Sequence, residues 1–232
     1  MNVVDWVILG IIGVSVLFGL YRGFIASVAG MGGTLVSLAA SYWVTPKLVD
    51  FMTANTTLRS TLEMYLDAQT KLDTTMAAQP VAGLSAGGIS DILSQVSLPP
   101  PLDTLLQNNL TNQVFSAGQN VGDYIRQTLV GAAMNVICFI IAFIGLTLAF
   151  HIIINLLKAI FKFPVLKQMN SLTGGLFGLL RGALVCFVAF AALPLIQAMV
   201  PMDQVNELIE GSTLAPLFNS TGLIMSIMNG HL

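Results

Sequence analysis

The sequence predicts an all-α integral membrane protein with four transmembrane helices and a long extracytoplasmic loop between the second and third helices. Of its 232 residues, 55% are hydrophobic and only 9% are charged, whereas a soluble domain carries about 25% charged residues. Four apolar runs are long enough to cross the hydrocarbon layer, which takes about 20 helical residues. Because these runs lack the regular turn signals that separate short strands, we expect a helical bundle rather than a membrane barrel.

The first two spans form a predicted hairpin within residues 1–46. Their apolar runs cover residues 3–20 and 24–44, and only Tyr21, Arg22 and Gly23 separate them. The leader carries Asp5 and no basic residue, unlike a cleaved signal peptide, so we expect the first helix to be retained. The short connection favours a tight helical hairpin, with one long bent helix as the alternative.

Residues 47–127 form the predicted extracytoplasmic loop. Its first part, residues 50–76, has no Pro or Gly and favours a helix, whereas residues 79–101 are rich in Gly, Ser, Ala and Pro and are expected to be mobile or extended. From Leu102 to Ile125, apolar residues recur at helical spacing. This amphipathic helix is expected to lie on the membrane surface or on the bundle, and a docking face for an envelope partner is the alternative.

The second predicted hairpin occupies residues 128–200, with spans at about 129–157 and 172–200, and residues 201–232 form an extracytoplasmic tail. The two short connections carry basic residues and no acid, which by the positive-inside rule places them in the cytoplasm. Both termini and the long loop are then expected outside. The four basic residues are Arg22, Lys158, Lys162 and Lys167.

Charged side chains within apolar runs are candidate functional residues because charge is costly in lipid. Arg181 lies inside the fourth run, and the only acid in the four runs is Asp5, at the start of the first. Its guanidinium must reach carbonyls, water, lipid phosphate or Asp5, and a structural role is as well supported as a role in transport. Asp5 and Arg22 lie at opposite ends of the first run, about 25 Å apart along a helix, so they cannot pair within it.

Polar residues in the third span share one helical face. Thr147, His151, Asn155 and Lys158 follow at intervals of four, four and three residues. This face could line a wet path in which His151 titrates, but we favour hydrogen bonds between helices.

Small residues form stripes that allow helices to approach closely. Gly19 and Gly23 form one across the first turn, and Ala29, Gly33, Ser37 and Ser41 form another in the second span. Packing within the chain is the favoured interpretation, with oligomerisation or a substrate path as alternatives. The most regular stripe consists of Gly174, Gly178 and Gly182.

Several classes of function are disfavoured. The net charge of −2 provides no basic excess for nucleic acid. The zinc-protease, nucleophile-elbow, dinucleotide and phosphate-loop motifs do not occur, so we expect neither an enzyme nor a bound cofactor. Cys138 and Cys186 lie in apolar runs and predict neither a disulfide framework nor a metal site.

Two passages resemble the colicin V production protein family of bacterial inner-membrane proteins. One is Asp5-Trp6-Val7-Ile8-Leu9 followed by Gly19-Leu20-Tyr21-Arg22-Gly23-Phe24. The other runs from Met169 to Gly182, where Asn170 precedes a glycine-rich stretch that ends in Arg181-Gly182. The two Gly-Leu-x-Arg-Gly pieces also resemble each other, which indicates a weak internal repeat.

The resemblance implies a multi-pass protein of the bacterial cytoplasmic membrane, connected with production or export of a peptide toxin and with envelope maintenance. It also adds Asn170 to the candidate functional residues. The leading hypothesis is an accessory factor in the lipid bilayer whose external loop meets an envelope or export partner. The alternative is a small channel or transporter built as a homo-oligomer, because four helices with so few polar groups hardly enclose a path alone.

Overall fold

In the part that the structure, a computed structural model, describes, the chain is all-helical and has no β-strand. That part comprises residues 2–54, 56–67, 72–82, 84–96, 98–99, 101–112, 119–160, 169–199, 203–218 and 221–229. Its helices are α1 (Val3–Arg22), α2 (Phe24–Thr53), α3 (Thr56–Asp67), α4 (Thr74–Ala77), α5 (Ala86–Val96), α6 (Leu102–Asn112), α7 (Val121–Ile160), α8 (Met169–Met199), α9 (Asp203–Glu210), α10 (Ala215–Phe218) and α11 (Thr221–Asn229).

Three of the helices in the described part are long and apolar enough to cross a membrane. Their candidate spans are Val3–Arg22, Val121–Leu156 and Ser171–Ala198. They coincide with the first, third and fourth predicted runs. Their surfaces expose large apolar side chains such as Trp6, Leu17 and Ile152, as expected of helices that face lipid.

The second predicted run lies in α2, which is not among these three candidate spans. This helix is rich in small and hydroxylated residues, and it buries Thr34, Ser37, Ser41 and Thr45. Each hydroxyl donates to a carbonyl one turn earlier in the same helix, at 2.6–2.9 Å. These four hydroxyls are therefore satisfied within the helix itself, which lowers the cost of burying them.

The described chain divides into two compact units. The first contains residues 1–45, 139–191 and 202–220, and the second contains residues 46–138, 192–201 and 221–232. Helices α2, α7 and α8 each contribute to both units. The first unit contains the contacts of both arginines that the sequence singled out.

The expectation of a mobile or extended segment at residues 79–101 is wrong for residues 86–96, which form α5. Ile89, Ile92, Leu93 and Val96 recur at helical spacing, and burial of this apolar face outweighs the low helix propensity of Gly87 and Gly88. Ile92 and Val96 are almost completely buried, and α5 packs against α6.

The predicted amphipathic helix of residues 102–125 is interrupted. Helix α6 ends at Asn112 and α7 begins at Val121, while residues 113–118 lie outside the described part. The apolar face of α6 is buried, and α5 and α11 both pack on α6. This face is therefore covered by the chain itself and is not open to a docking partner. The buried face consists of Leu102, Leu105, Leu106 and Leu110.

Candidate functional site

Helices α1 and α8 meet along a seam of glycines. A Cβ atom added to Gly174 would collide with the Gly19 carbonyl, and one added to Gly178 would collide with the Ser15 carbonyl. At Gly182 the added atom would lie 3.0 Å from the Cα of Ile12. The two backbones therefore touch at positions where no side chain fits, as in close-packed membrane helices.

The order of these contacts fixes the direction of the helices. Residues 12, 15 and 19 of α1 meet residues 182, 178 and 174 of α8, so the two helices are antiparallel. Gly23 also lies beside Gly174, whereas Gly30 lies beside Arg181. Helix α2 therefore runs back along α8, and α1 and α2 are two helices joined by a turn.

Gly23 forms that turn. Its φ of 79° lies in a region that other residues rarely adopt. Its amide donates to the Gly19 carbonyl at 3.0 Å and ends α1. The Ser27 hydroxyl donates to the same carbonyl at 3.2 Å, and the Ser171 hydroxyl of α8 donates to the Leu20 carbonyl at 2.9 Å. The Gly19 and Leu20 carbonyls, near the end of α1, thus accept hydrogen bonds from both neighbouring helices.

Ser15 reinforces the seam and was missed in the sequence. Its hydroxyl donates to the Gly178 carbonyl at 2.7 Å, a direct hydrogen bond between α1 and α8. The available signal was its position four residues before Gly19, which extends the small stripe of the first span.

Arg181 and His151 form the polar contact of α8 with α7. The Nη2 atom of Arg181 lies 3.0 Å from Nε2 of His151, and Nδ1 of His151 lies 2.9 Å from the Thr147 carbonyl. A carbonyl only accepts, so Nδ1 carries the proton and Nε2 accepts from the guanidinium. The pair therefore contains no negative charge that could neutralise Arg181.

Arg22 shares a cleft with Arg181 and His151. The cleft has a volume of about 340 Å³, and the guanidinium carbon of Arg22 lies 5.7 Å from the centre of the Phe18 ring, in cation–π contact. An adjoining small cavity is lined by both arginines, Ser15 and Phe18. The remaining described residues that line the cleft are Ile11, Val14, Ser15, Gly182 and Val185.

Asp5 lies elsewhere in the first unit, at the start of α1, and is completely buried. Its carboxylate accepts hydrogen bonds from the Ser212 hydroxyl at 2.6 Å, from the Leu214 backbone amide at 2.9 Å and from the Asn2 backbone amide at 2.8 Å. The Asn2 side chain also donates to the Leu208 carbonyl. Asp5 therefore joins the N-terminus of α1 to the C-terminal segment, and nothing in the sequence pattern indicated Ser212 as its partner.

Thr147 and Asn155, two further predicted polar residues, do not line the cleft. Asn155 is exposed on α7, and the hydroxyl of Thr147 is buried without a partner among the described residues. The side chains of Asn170 and Lys158 lie outside the described part. In that part no group of three or more His, Cys, Asp or Glu residues could hold a metal ion.

Comparison with known proteins assigns the family. The colicin V production protein family matches residues 4–96 and 114–223. The chain is also 33% identical over 101 residues to the uncharacterized transmembrane protein YshB of Bacillus subtilis (strain 168), a match that covers 44% of this chain and 55% of that protein. The chain thus spans about half the length of this curated relative, and no solved structure matches it. The chain belongs to the colicin V production protein family.

Proposed function

We propose that this chain is a multi-pass accessory protein of the bacterial cytoplasmic membrane that supports peptide-toxin production or export and envelope maintenance. One observation carries the proposal: the two passages that resemble the family, residues 19–24 and 169–182, lie against each other along the glycine seam. The family pattern therefore coincides with one packed helix contact, which has Arg181 half-buried and Arg22 exposed. No enzymatic activity is part of the proposal, because the sequence lacks the zinc-protease, nucleophile-elbow, dinucleotide and phosphate-loop motifs.

The proposed topology has four spans, with α2 as the additional crossing, and places both termini outside. Two features support it. Antiparallel packing of α1 and α8, together with the Asp5–Ser212 contact, puts the start of α1 and the segment after α8 at the same end of the first unit. The opposite end carries Arg22, and basic residues near short connections favour the cytoplasmic side.

Cysteine labelling tests this topology. Ser85 and Ser94 are exposed in the long loop, so cysteines in their place should react with an impermeant thiol reagent in intact spheroplasts. Cys138 and Cys186 are buried and should remain unlabelled, which provides an internal control. Labelling of Ser85→Cys and Ser94→Cys only after lysis would contradict the proposed orientation.

Deletion and complementation test the function. In a host that secretes a peptide toxin, loss of the chain should lower the secreted toxin, leave its synthesis unchanged and increase detergent sensitivity. The full chain should restore both properties. Normal secretion and normal detergent resistance in the deletion strain would refute the accessory role. A stoichiometric export protein that co-purifies in mild detergent would identify the partner.

The cleft favours a second candidate, a small oligomeric channel or transporter. Arg22, Arg181 and His151 supply polar groups on otherwise apolar helices, and a second copy would be needed to enclose a path. Anion-dependent conductance of the purified chain in planar bilayers, lost on Arg181→Gln, would favour the channel over the accessory protein.

A further inference from the structure

We propose that the cleft between Arg22, His151 and Arg181 is a binding site for the phosphate group of an anionic lipid. This cleft carries an excess of positive charge. Both guanidiniums line the same cleft, and no Asp or Glu is among its described lining residues. The imidazole that contacts Arg181 carries no negative charge, so it does not neutralise the guanidinium.

The helices around the cleft contain almost no acidic residues that could pair with the two arginines. Residues 6–49 and 124–199 contain no Asp or Glu, and these stretches include all of α2 that precedes Asp50, all of α8 and nearly all of α1 and α7. Asp5, the acid within α1, is buried in hydrogen bonds to the C-terminal segment. A charge placed among apolar helices is stabilised by an opposite charge, and an anionic ligand in the cleft would supply it.

The donors suit a phosphate. A guanidinium presents five N–H groups in a planar fork that matches phosphate oxygens. One of these groups of Arg181 is directed to His151, which orients the fork and leaves other donors for the cleft. Arg22 is exposed, and Phe18 holds its guanidinium in place.

The walls of the cleft favour a lipid over a free ion. Val14 and Phe18 are each 55% exposed and Val185 is 37% exposed, so an apolar surface continues outward from the two cations. All three residues belong to helices with candidate membrane spans. Arg22 ends α1, where lipid headgroups attract basic side chains. A phosphate at the arginines would therefore leave its acyl chains along this apolar wall.

The cavity of the second unit provides a contrast. It is larger, about 500 Å³, but it contains Arg59, Arg126, Glu63 and Asp123. Arg59 pairs with Glu63 at 2.9 Å, and Arg126 pairs with Asp123. Positive and negative charges balance there, so that cavity has no comparable need for an anion. Arg59 provides a matched control for the arginines of the cleft.

Lipid titration of the full chain tests the site. The purified protein, in delipidating detergent, is titrated with phosphatidylglycerol or phosphatidylcholine and followed by native mass spectrometry. We expect preferential binding of phosphatidylglycerol, a loss of at least tenfold in affinity for Arg181→Gln, a loss of several fold for Arg22→Gln and no change for Arg59→Gln. Equal affinity of all three variants, or equal affinity for both lipids, would overturn the proposal.

Two further measurements distinguish a lipid from a free anion and guard against misfolding of the Arg181 variant. If millimolar inorganic phosphate displaces phosphatidylglycerol, the site takes a free anion and the lipid assignment is wrong; failure to displace it supports the lipid. If Arg181→Gln does not fold, Arg22→Gln decides, because the exposed Arg22 side chain can be removed without disturbing packing. These results do not depend on toxin export, so failure of the lipid site and failure of the accessory role are distinguishable.

Discussion

Replacement of Gly178 by Ala tests the glycine seam directly. The added Cβ would collide with the Ser15 carbonyl, so α1 and α8 must separate. Overpacking of this kind costs about 1–3 kcal/mol. Separation would also weaken the 2.7 Å hydrogen bond from Ser15 to Gly178, which contributes about 0.6–1 kcal/mol between membrane helices. The higher helix propensity of Ala offsets up to about 1 kcal/mol of this loss, so we expect a net loss of about 0.6–4 kcal/mol.

Gly13→Ala is the matched control. Gly13 lies in the same helix pair, on α1, but an added Cβ meets no atom within 4 Å. This variant should be neutral or more stable by up to about 1 kcal/mol, through helix propensity alone. Reversible unfolding of the purified chain, followed by circular dichroism in mixed micelles of increasing denaturing detergent, measures both free energies of unfolding. Equal unfolding midpoints for Gly178→Ala and Gly13→Ala would refute the seam as a tight contact.

Three further predictions address the seam, the arginines and the tail. Gly178→Leu should lower membrane abundance and change the size of the solubilised protein more than Leu176→Ala does. Leu176 is 59% exposed, so its truncation removes atoms from the outer face of α8 only. Equal abundance and equal size for the two variants would contradict this prediction. Arg181→Lys should lose most of its ability to complement the deletion strain, whereas Arg22→Lys should complement almost normally. One ammonium at position 181 cannot contact His151 and also present a planar fork of donors to the cleft. Full complementation by Arg181→Lys would indicate that the charge at this position is purely structural. Asp5→Asn should lower the free energy of unfolding by about 1–3 kcal/mol, because a weaker hydrogen bond replaces the charge-assisted one from Ser212. The C-terminal segment should then be proteolysed faster. Unchanged proteolysis would show that other contacts hold this segment.

The sequence by itself determined the class of the protein. Low charge and long apolar runs leave few alternatives to membrane helices, since backbone groups in lipid must be satisfied locally. The spacing of Gly174, Gly178 and Gly182 predicted a smooth helix face, and the pair of Gly-Leu-x-Arg-Gly passages indicated the family. These are properties of composition and of short-range periodicity, which are visible in a single sequence.

Only the tertiary structure decided which residues meet. Helix α1 packs antiparallel on α8, His151 contacts Arg181, and Asp5 contacts Ser212. Each of these contacts joins positions separated by 30 or more residues, and no local sequence pattern encodes such a pairing. The helix at residues 86–96 was missed for a related reason: its Gly and Ser content disfavours a helix locally, and burial of its apolar face against α6 reverses that preference. Periodicity identifies the face that a helix will bury, whereas the partner that covers the face depends on the packing of the whole unit.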